Sequence, residues 1–190
     1  MTDLLLVPVP PADHNLIVFL QPRLSEVFHL QAGIYPKRDL DPSRAYDFGR
    51  NQFNSTAILA RALEKFEDLN DSKVLCVTSL DLFVPVLTYV FGEAQLDGKA
   101  AIVSSYRLDE ERYGFPRNQP LLQNRILKES IHELGHTFGL IHCHDYNCVM
   151  HSSTSVEEID IKGMRFCDGC GQRLHGFQGS MRSDASQNPT

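Results

Sequence analysis

The sequence has few basic residues, no basic run and no long apolar run. Its 18 lysines and arginines face 24 acidic residues, so the formal net charge is −6. This balance argues against a nucleic-acid-binding surface. The early apolar run, residues 4–9, is far shorter than the roughly 20 residues that span a bilayer. It also lacks the basic segment that opens a signal peptide. We therefore expect a cytoplasmic protein that binds neither membranes nor nucleic acid.

Apolar periodicity in the first half predicts alternating strands and helices. Strands are predicted at residues 3–9, 27–35 and 73–78. A first helix is predicted at residues 12–26, and Pro22 either interrupts it or restarts it. A second helix is predicted to begin at Asn54-Ser55 or at Arg50-Asn51 and to end at Phe66. A β-α-β-α-β order implies a mostly parallel twisted sheet flanked by helices. The turn residues Leu96-Asp97-Gly98 join two further runs as a hairpin, which adds one antiparallel edge strand. The expected fold class is mixed α/β.

Residues 132–142, H-E-L-G-H-T-F-G-L-I-H, lie at the end of a helix predicted over residues 120–138. His132 and His136 are four residues apart, so they share a helix face and can bind one zinc ion. Glu133 can serve a metal-bound water rather than the metal. Gly139 suits the left-handed end of the helix. His142 then supplies a third ligand and leaves one tetrahedral position open, as in catalytic zinc sites.

Two neighbouring residues leave alternatives open. His144 competes with His142 as the third ligand, although the spacing after Gly139 favours His142. Met150 is either an ordinary core methionine or an apolar floor beneath the imidazoles.

Four of the five cysteines form a second constellation, Cys143-x4-Cys148 followed by Cys167-x2-Cys170. Four thiolates hold a structural zinc tetrahedrally, and the segment that carries them has few core-forming residues. The alternatives are two disulfides, or a redox-active pair formed by Cys167 and Cys170. Because His142 and Cys143 are adjacent, their side chains diverge and would serve two separate ions.

The remaining candidates have simpler interpretations. Cys76 lies inside an apolar strand and reads as a small buried hydrophobe. Asp81 and Glu93 are expected to be solvated carboxylates near the hairpin. The other histidines lack ligand spacing and are expected on the surface or in loops: His14, His29, His151 and His175.

The combined pattern H-E-x-x-H-x-x-G-x3-C-x4-C-x-M with a later C-x-x-C resembles the archaemetzincins, a family of small metzincin-type zinc peptidases. The likeness extends upstream to R-N-Q-F-N-S-T, V-F-G-E-A and D-L-F-V-P, at residues 50–56, 90–94 and 81–85, and covers roughly residues 46–170. One residue fewer separates Met150 from Cys167 than in the usual family pattern. A loop change of this size should be tolerated. Ser152 stands where some metzincins have a tyrosine ligand.

The resemblance implies two zinc ions and a peptide or protein substrate. His132, His136 and His142 would hold the catalytic zinc, Glu133 would be the general base acting on a zinc-bound water, and the four cysteines would hold the structural zinc. Two rivals remain: a zinc protein without catalysis whose metals shape an interaction surface, and a thiol-based redox or metal sensor.

We expect a monomer with one metzincin-like domain over residues 1–190. Its upper α/β part, residues 1–139, would end in the active-site helix. The lower part, residues 140–170, would be held by zinc, and residues 171–190 would form a polar, loosely ordered tail.

Overall fold

The fold is a mixed α/β sheet covered by helices on both faces. A computed structural model describes residues 3–69 and 72–185. The strands are β1 (Leu4–Pro8), β2 (Ala32–Ile34), β3 (Tyr46–Asp47), β4 (Gln52–Asn54), β5 (Lys73–Thr78), β6 (Leu82–Phe83), β7 (Gly92–Ala94) and β8 (Ala100–Ser104). The helices are α1 (His14–Phe28), α2 (Ser55–Lys65), α3 (Gln119–Thr137), α4 (Val156–Ile161) and α5 (Asp168–Ala185).

The main sheet has five strands in the order β2-β1-β5-β8-β7. β1 pairs in parallel with β2 and β5, and β5 pairs in parallel with β8. β7 pairs with β8 antiparallel and forms one edge of the sheet. The predicted mostly parallel sheet with one antiparallel edge strand is therefore confirmed.

Alternation along β5 divides the core into two clusters. Leu75 and Val77 pack into the cluster that contains residues of α1 and α3, whereas Val74 and Cys76 pack into the cluster with α2. Cys76 is fully buried, as predicted, and burial raises the pKa of its thiol to about 12. Burial on both faces explains why this strand reads as a continuous apolar run.

The predicted strand at residues 27–35 is wrong in its first part. α1 continues to Phe28, whose ring is buried, and His29 then adopts a left-handed conformation that ends the helix. Only Ala32–Ile34 form the strand. The apolar run is shared by the last helical turn and the strand, and apolar character alone does not separate the two. Pro22 lies inside α1.

Three short strands form a second sheet, in the order β3-β4-β6, that the sequence does not predict. These strands have two or three residues each, too few for a visible period-2 pattern. Two of its strands, β3 and β4, precede α2, whose first turn is capped by the Asn54 side chain accepting from Ala57 N at 3.0 Å. Of the two predicted helix starts, the one at Asn54-Ser55 is therefore correct.

α3 carries the histidine motif through the interior. Its N-cap is Asn118, whose side chain accepts from Leu121 N at 3.1 Å. Most of its side chains from Arg125 onward are buried. The helix ends at Thr137, and Gly139 has a φ of 80°, the left-handed conformation predicted for this glycine.

The last helix differs from the sequence expectation. α5 runs from Asp168 to Ala185, so the predicted boundary at residue 171 falls inside a helix rather than at the start of a loose tail. Residues 186–190 lie outside the described part of the chain. Leu174 is buried against the core, and Cys170 lies in the first turn of the helix beside the other cysteines, so tertiary contacts anchor its first turns. Among the described helices, none is both long and apolar enough to cross a membrane.

Candidate active site and metal centres

Three histidine rings converge at the end of α3. The ring centroids of His132 and His136 are 4.7 Å apart, and that of His142 lies 5.3 and 5.0 Å from them. The possible ligand atoms of all three lie within 4.8 Å of one another. The turn at Gly139 brings His142 back to the helix. His144 is exposed and outside this group.

Backbone carbonyls orient two of the imidazoles. His132 Nδ1 lies 2.9 Å from the Val149 carbonyl oxygen, and His136 Nδ1 lies 2.7 Å from that of Leu140. Because a carbonyl only accepts, each Nδ1 must carry the proton, and the neutral ring then has a bare lone pair on Nε2. The two Nε2 atoms face each other at 3.1 Å.

Two lone pairs at that separation repel each other unless a cation lies between them. Tetrahedral zinc with Zn–N bonds of about 2.0–2.1 Å holds its nitrogen ligands roughly 3.3 Å apart. The donor set and its spacing therefore fit zinc. The carbonyl partners also match the outer hydrogen bonds that orient metal-binding histidines.

The surroundings of the three imidazoles favour the neutral form of each ring. Burial lowers the pKa of His132 well below its ordinary value, and the positive charge of Lys162 lowers it further. Burial also lowers the pKa values of His136 and His142. Neutral imidazole is the form that binds a metal, so these environments favour metal binding near neutral pH.

Met150 lies under the turn of α3 that carries the histidines. It is fully buried, and a Cβ added at Gly135 would lie 2.5 Å from its sulfur. The glycine thus lets the methionine approach the helix backbone directly beside His136. This position fits the interpretation of Met150 as an apolar floor beneath the site.

Glu133 faces the opposite side, towards β7. A Cβ added at Gly92 would lie 2.6 Å from Glu133 Cγ and 2.8 Å from its Oε1, so the carboxylate packs directly against the edge strand. Burial and then the neighbouring charge of Glu129 raise the pKa of Glu133 well above its ordinary value. A carboxylate in such surroundings is a stronger base than one in water.

The sequence reasoning missed a buried ion pair one helical turn before Glu133. Lys162 Nζ lies 2.8 Å from Glu129 Oε1, and both side chains are at most 5% exposed. Lys162 Nζ also donates to the His151 carbonyl oxygen at 3.2 Å. The pair ties α3 to the chain just after Met150. The sequence did contain one indication of this pair: Glu129 lies four residues before Glu133 and therefore on the same face of the helix.

A cleft of about 390 Å³ lies over these groups. One wall is the segment of residues 87–92, and the other is the segment of residues 152–154. The side chains between the two walls are Glu129, His132, Glu133 and His142. The candidate base and two of the three imidazoles therefore line one cavity that is open to solvent.

The four clustered cysteines form a second group of possible metal ligands. Their sulfur atoms lie within 4.8 Å of one another, and all are free thiols. The Cys167 backbone N–H donates to Cys148 Sγ at 3.3 Å, and the Cys170 backbone N–H lowers the pKa of Cys167, whereas burial raises the pKa values of Cys148 and Cys170. Amide donors aimed at sulfur stabilise thiolates, the form that binds zinc. This donor set therefore fits a structural zinc.

Two carboxylates expected to be solvated have protein partners instead. Asp81 forms a bidentate ion pair with Arg107, at 2.5 and 2.7 Å. Glu93 accepts from the Ser55 hydroxyl and from Thr56 Oγ1, the latter at 2.7 Å. Each partner is more than 25 residues away along the chain, so local sequence gives no sign of it.

The remaining histidines stay outside both clusters. Among the described residues, neither metal-ligand group includes any of them: His14, His29, His151 and His175. His151 nevertheless has a structural contact, since its Nδ1 lies 2.9 Å from the Cys143 carbonyl oxygen and its ring packs on Tyr146. It therefore contacts the segment that carries Cys143 without joining either cluster.

Comparison with known sequences identifies the family of this chain. Residues 30–176 match the profile described as Peptidase family M54. An archaemetzincin of Methanocaldococcus jannaschii is 45% identical over 167 residues, covering 88% of this chain and 89% of that protein. An archaemetzincin of Pyrococcus abyssi is 38% identical over 179 residues, covering 92% and 95% respectively.

Solved structures agree with the sequence comparison. The malonate complex of the Archaeoglobus fulgidus archaemetzincin has a TM-score of 0.77 and 32% identity, covering 90% of this chain and 98% of that one. A zinc-dependent peptidase of Methanocorpusculum labreanum has a TM-score of 0.80 and 30% identity, covering 90% and 99%. The chain therefore belongs to peptidase family M54, the archaemetzincins, and is a zinc metallopeptidase that acts on peptides or proteins.

Proposed function

We propose that the chain hydrolyses peptide bonds with Glu133 as the general base, beside a zinc ion held by His132, His136 and His142. A second, structural zinc is held by the four cysteines, Cys143, Cys148, Cys167 and Cys170. The observation that carries the proposal is the 3.1 Å approach of the Nε2 atoms of His132 and His136, with His132 and Glu133 lining one cleft. When bound there, zinc supplies the Lewis acidity that polarises a peptide carbonyl and makes water nucleophilic near neutral pH.

Glu133 moves the proton. Its carboxylate accepts a proton from the attacking water while the water oxygen bonds to the scissile carbonyl carbon. The same carboxyl group then delivers that proton to the leaving nitrogen as the C–N bond breaks. The products are a carboxylic acid and an amine, and Glu133 returns to its starting form. Packing against Gly92 fixes the carboxyl group in the cleft.

The edge strand β7 orients the substrate. It is an edge strand of the main sheet, and among the described residues its one strand partner is β8. An extended peptide can add to its free edge through backbone hydrogen bonds, which favours peptides over compact ligands. Because Gly92 packs on Glu133, a peptide along this edge has its backbone next to the base.

Metal analysis together with a peptide digest tests the proposal. Natively purified protein is expected to contain two zinc ions per chain and to cleave a peptide library, with cleavage abolished by a chelator and restored by added zinc. One zinc without cleavage would favour a non-catalytic zinc protein. An absence of zinc with reversible disulfide formation would favour a thiol-based sensor.

Replacing Gly92 with alanine is expected to lower kcat at least about tenfold, because the new Cβ would lie 2.6 Å from Glu133 Cγ and from the Ile102 carbonyl oxygen. The carboxyl group must then leave its position or the strand must shift. Steady-state kinetics on a peptide substrate measures the effect. Gly171→Ala is the matched control, since its added Cβ meets nothing within 4 Å. Equal activity of G92A and the wild type would contradict the assigned position of Glu133.

A further inference from the structure

We propose that the cleft is closed at the end that receives the carboxyl-terminal part of the substrate, so that the enzyme removes about one or two residues from the carboxyl end of a peptide. This inference rests on the peptidase mechanism proposed above. It adds the class of substrate, a peptide presenting a nearby carboxyl terminus, and names Tyr89 as the residue that limits its length.

The free edge of β7 can be followed residue by residue. In an antiparallel pair, the N–H and C=O groups of one residue point to the same side, and the sides alternate along the strand. Phe91 accepts from Ser104 N at 2.8 Å, and Gln95 donates to the Ala100 carbonyl at 3.0 Å, so these residues face β8. Val90, Gly92 and Ala94 therefore point to the opposite edge, where a substrate would pair.

That edge is already occupied at Val90. The Val90 N–H donates to the Leu82 carbonyl oxygen at 3.0 Å, and the two residues form a β-bridge. A peptide that pairs with Ala94 and Gly92 meets β6 when it continues in this direction. The strand edge is thus available on one side of Gly92 and taken on the other.

A second contact closes the cleft at the same end. The Tyr89 hydroxyl donates to the Thr154 carbonyl oxygen at 2.8 Å, which joins the two walls of the cleft. We call this hydrogen bond between Tyr89 and Thr154 the crossing, and further contacts hold the residue at each of its ends. The Arg107 guanidinium stacks over the Tyr89 ring at 4.1 Å, and Glu158 accepts from the Thr154 N–H at 2.5 Å and from its hydroxyl at 2.9 Å.

The position of Glu133 sets how much substrate fits. The scissile bond lies near Gly92, because Glu133 packs on that residue. Tyr89 lies three positions before Gly92, which corresponds to about 10 Å of extended chain. This distance leaves room for about two substrate residues before the crossing.

The direction of the substrate follows from the direction of β7. An antiparallel partner has the more favourable hydrogen-bond geometry, so a bound peptide runs opposite to β7. Its amino-terminal part then lies along Ala94, and its carboxyl-terminal part lies towards Val90 and Tyr89. The closed end is therefore the end that receives the residues after the scissile bond.

Arg50 supports the wall segment that leads to Tyr89. Its Nη2 donates to the carbonyl oxygens of Leu87 and Thr88, at 2.5 and 3.0 Å, and its guanidinium stacks over the Phe83 ring at 4.2 Å. These contacts hold residues 87 and 88 in place next to Tyr89.

The positions of cleavage in a peptide mixture test this inference. The zinc-loaded protein is incubated with a tryptic digest of casein, and mass spectrometry locates each cut relative to the peptide ends. We expect wild-type cuts to lie within two residues of the carboxyl terminus. Tyr89→Phe keeps the ring but removes the crossing, and its fraction of more internal cuts is expected to rise roughly 2- to 10-fold. Cuts spread along the peptides, or confined to their amino termini, in the wild type would overturn the inference.

Tyr35→Phe is the matched control. It removes another tyrosine hydroxyl, one that donates to Asp39 Oδ2 at 3.5 Å, and both residues are outside the lining of the cleft. Its cleavage pattern should equal that of the wild type, and a shift like that of Tyr89→Phe would overturn the role of the crossing.

A binding measurement separates failure of this inference from failure of the proposed function. Calorimetry on zinc-loaded Glu133→Gln compares a casein-derived pentapeptide with the same peptide extended by four residues at its carboxyl end. Tighter binding of the unextended peptide supports the closed cleft even if the wild type cleaves nothing. Equal affinity, or no binding of either peptide, would overturn it.

Discussion

Replacing Glu133 with glutamine is expected to lower kcat about 10²- to 10⁴-fold while leaving the zinc content unchanged. Glutamine keeps the size of the side chain and its packing against Gly92 but cannot accept the proton of the attacking water. The three imidazoles are untouched, and their carbonyl partners come from Val149 and Leu140. Single-turnover kinetics on a cleaved peptide and metal analysis of the same sample measure the two quantities.

A matched control separates proton transfer from loss of charge. Glu64→Gln removes one carboxylate from the exposed face of α2 and should retain wild-type kcat. Full activity in Glu133→Gln would show that another group acts as the base. Loss of zinc together with activity would instead assign Glu133 a role in holding the metal.

Replacing Cys170 with serine is expected to release one of two zinc ions and to destabilise the protein strongly. Structural zinc contributes about 10–16 kcal/mol in small finger peptides, so loss of a ligand should cost at least about 4 kcal/mol here. For a chain of this size, that cost corresponds to a fall in melting temperature of about 8–16 °C. Atomic emission and thermal unfolding followed by circular dichroism measure both effects.

Cys76→Ala provides the comparison for this variant. It also removes a buried thiol, but from the interior of β5 and outside the cysteine cluster. Its zinc content should stay at the wild-type value, with a smaller loss of stability. If Cys170→Ser kept two zinc ions, the four-cysteine site would be wrong.

The two metal sites should also be coupled. His142 and Cys143 are neighbours in the chain and belong to different ligand groups. The Cys143 N–H donates to the Met150 carbonyl oxygen at 2.9 Å, and the His151 ring bonds to the Cys143 carbonyl oxygen. Loss of the cysteine-bound metal would loosen the segment that positions His142. We therefore expect Cys170→Ser to weaken zinc binding at the histidines as well.

Much of the site is visible in the sequence because its spacings are local. His132, Glu133 and His136 depend only on helical periodicity, and Gly139 only on the conformation that ends a helix. The hairpin of β7 and β8 follows from its turn residues, and the parallel sheet follows from the order of strands and helices. Each of these predictions uses residues a few positions apart.

Other parts of the site depend on residues that are far apart in sequence. Asp81 pairs with Arg107, and Glu129 pairs with Lys162. The partners are brought together by the packing of whole elements. The sequence does not distinguish a solvated carboxylate from one whose cationic partner lies far away along the chain. The end of α1 was misplaced for a similar reason, because burial of Phe28 in the core extends the helix into an apolar run that resembles a strand.

The sequence by itself determined the fold class, the family pattern and two groups of candidate metal ligands. These depend on short-range periodicity and on the ligand chemistry of histidine and cysteine. Only the tertiary structure decided the shape of the cleft, the environment of Glu133 and the crossing from Tyr89 to Thr154. The physical reason is that hydrogen bonds and burial across the cleft join segments about 65 residues apart, which only the packed sheet and helices bring within reach.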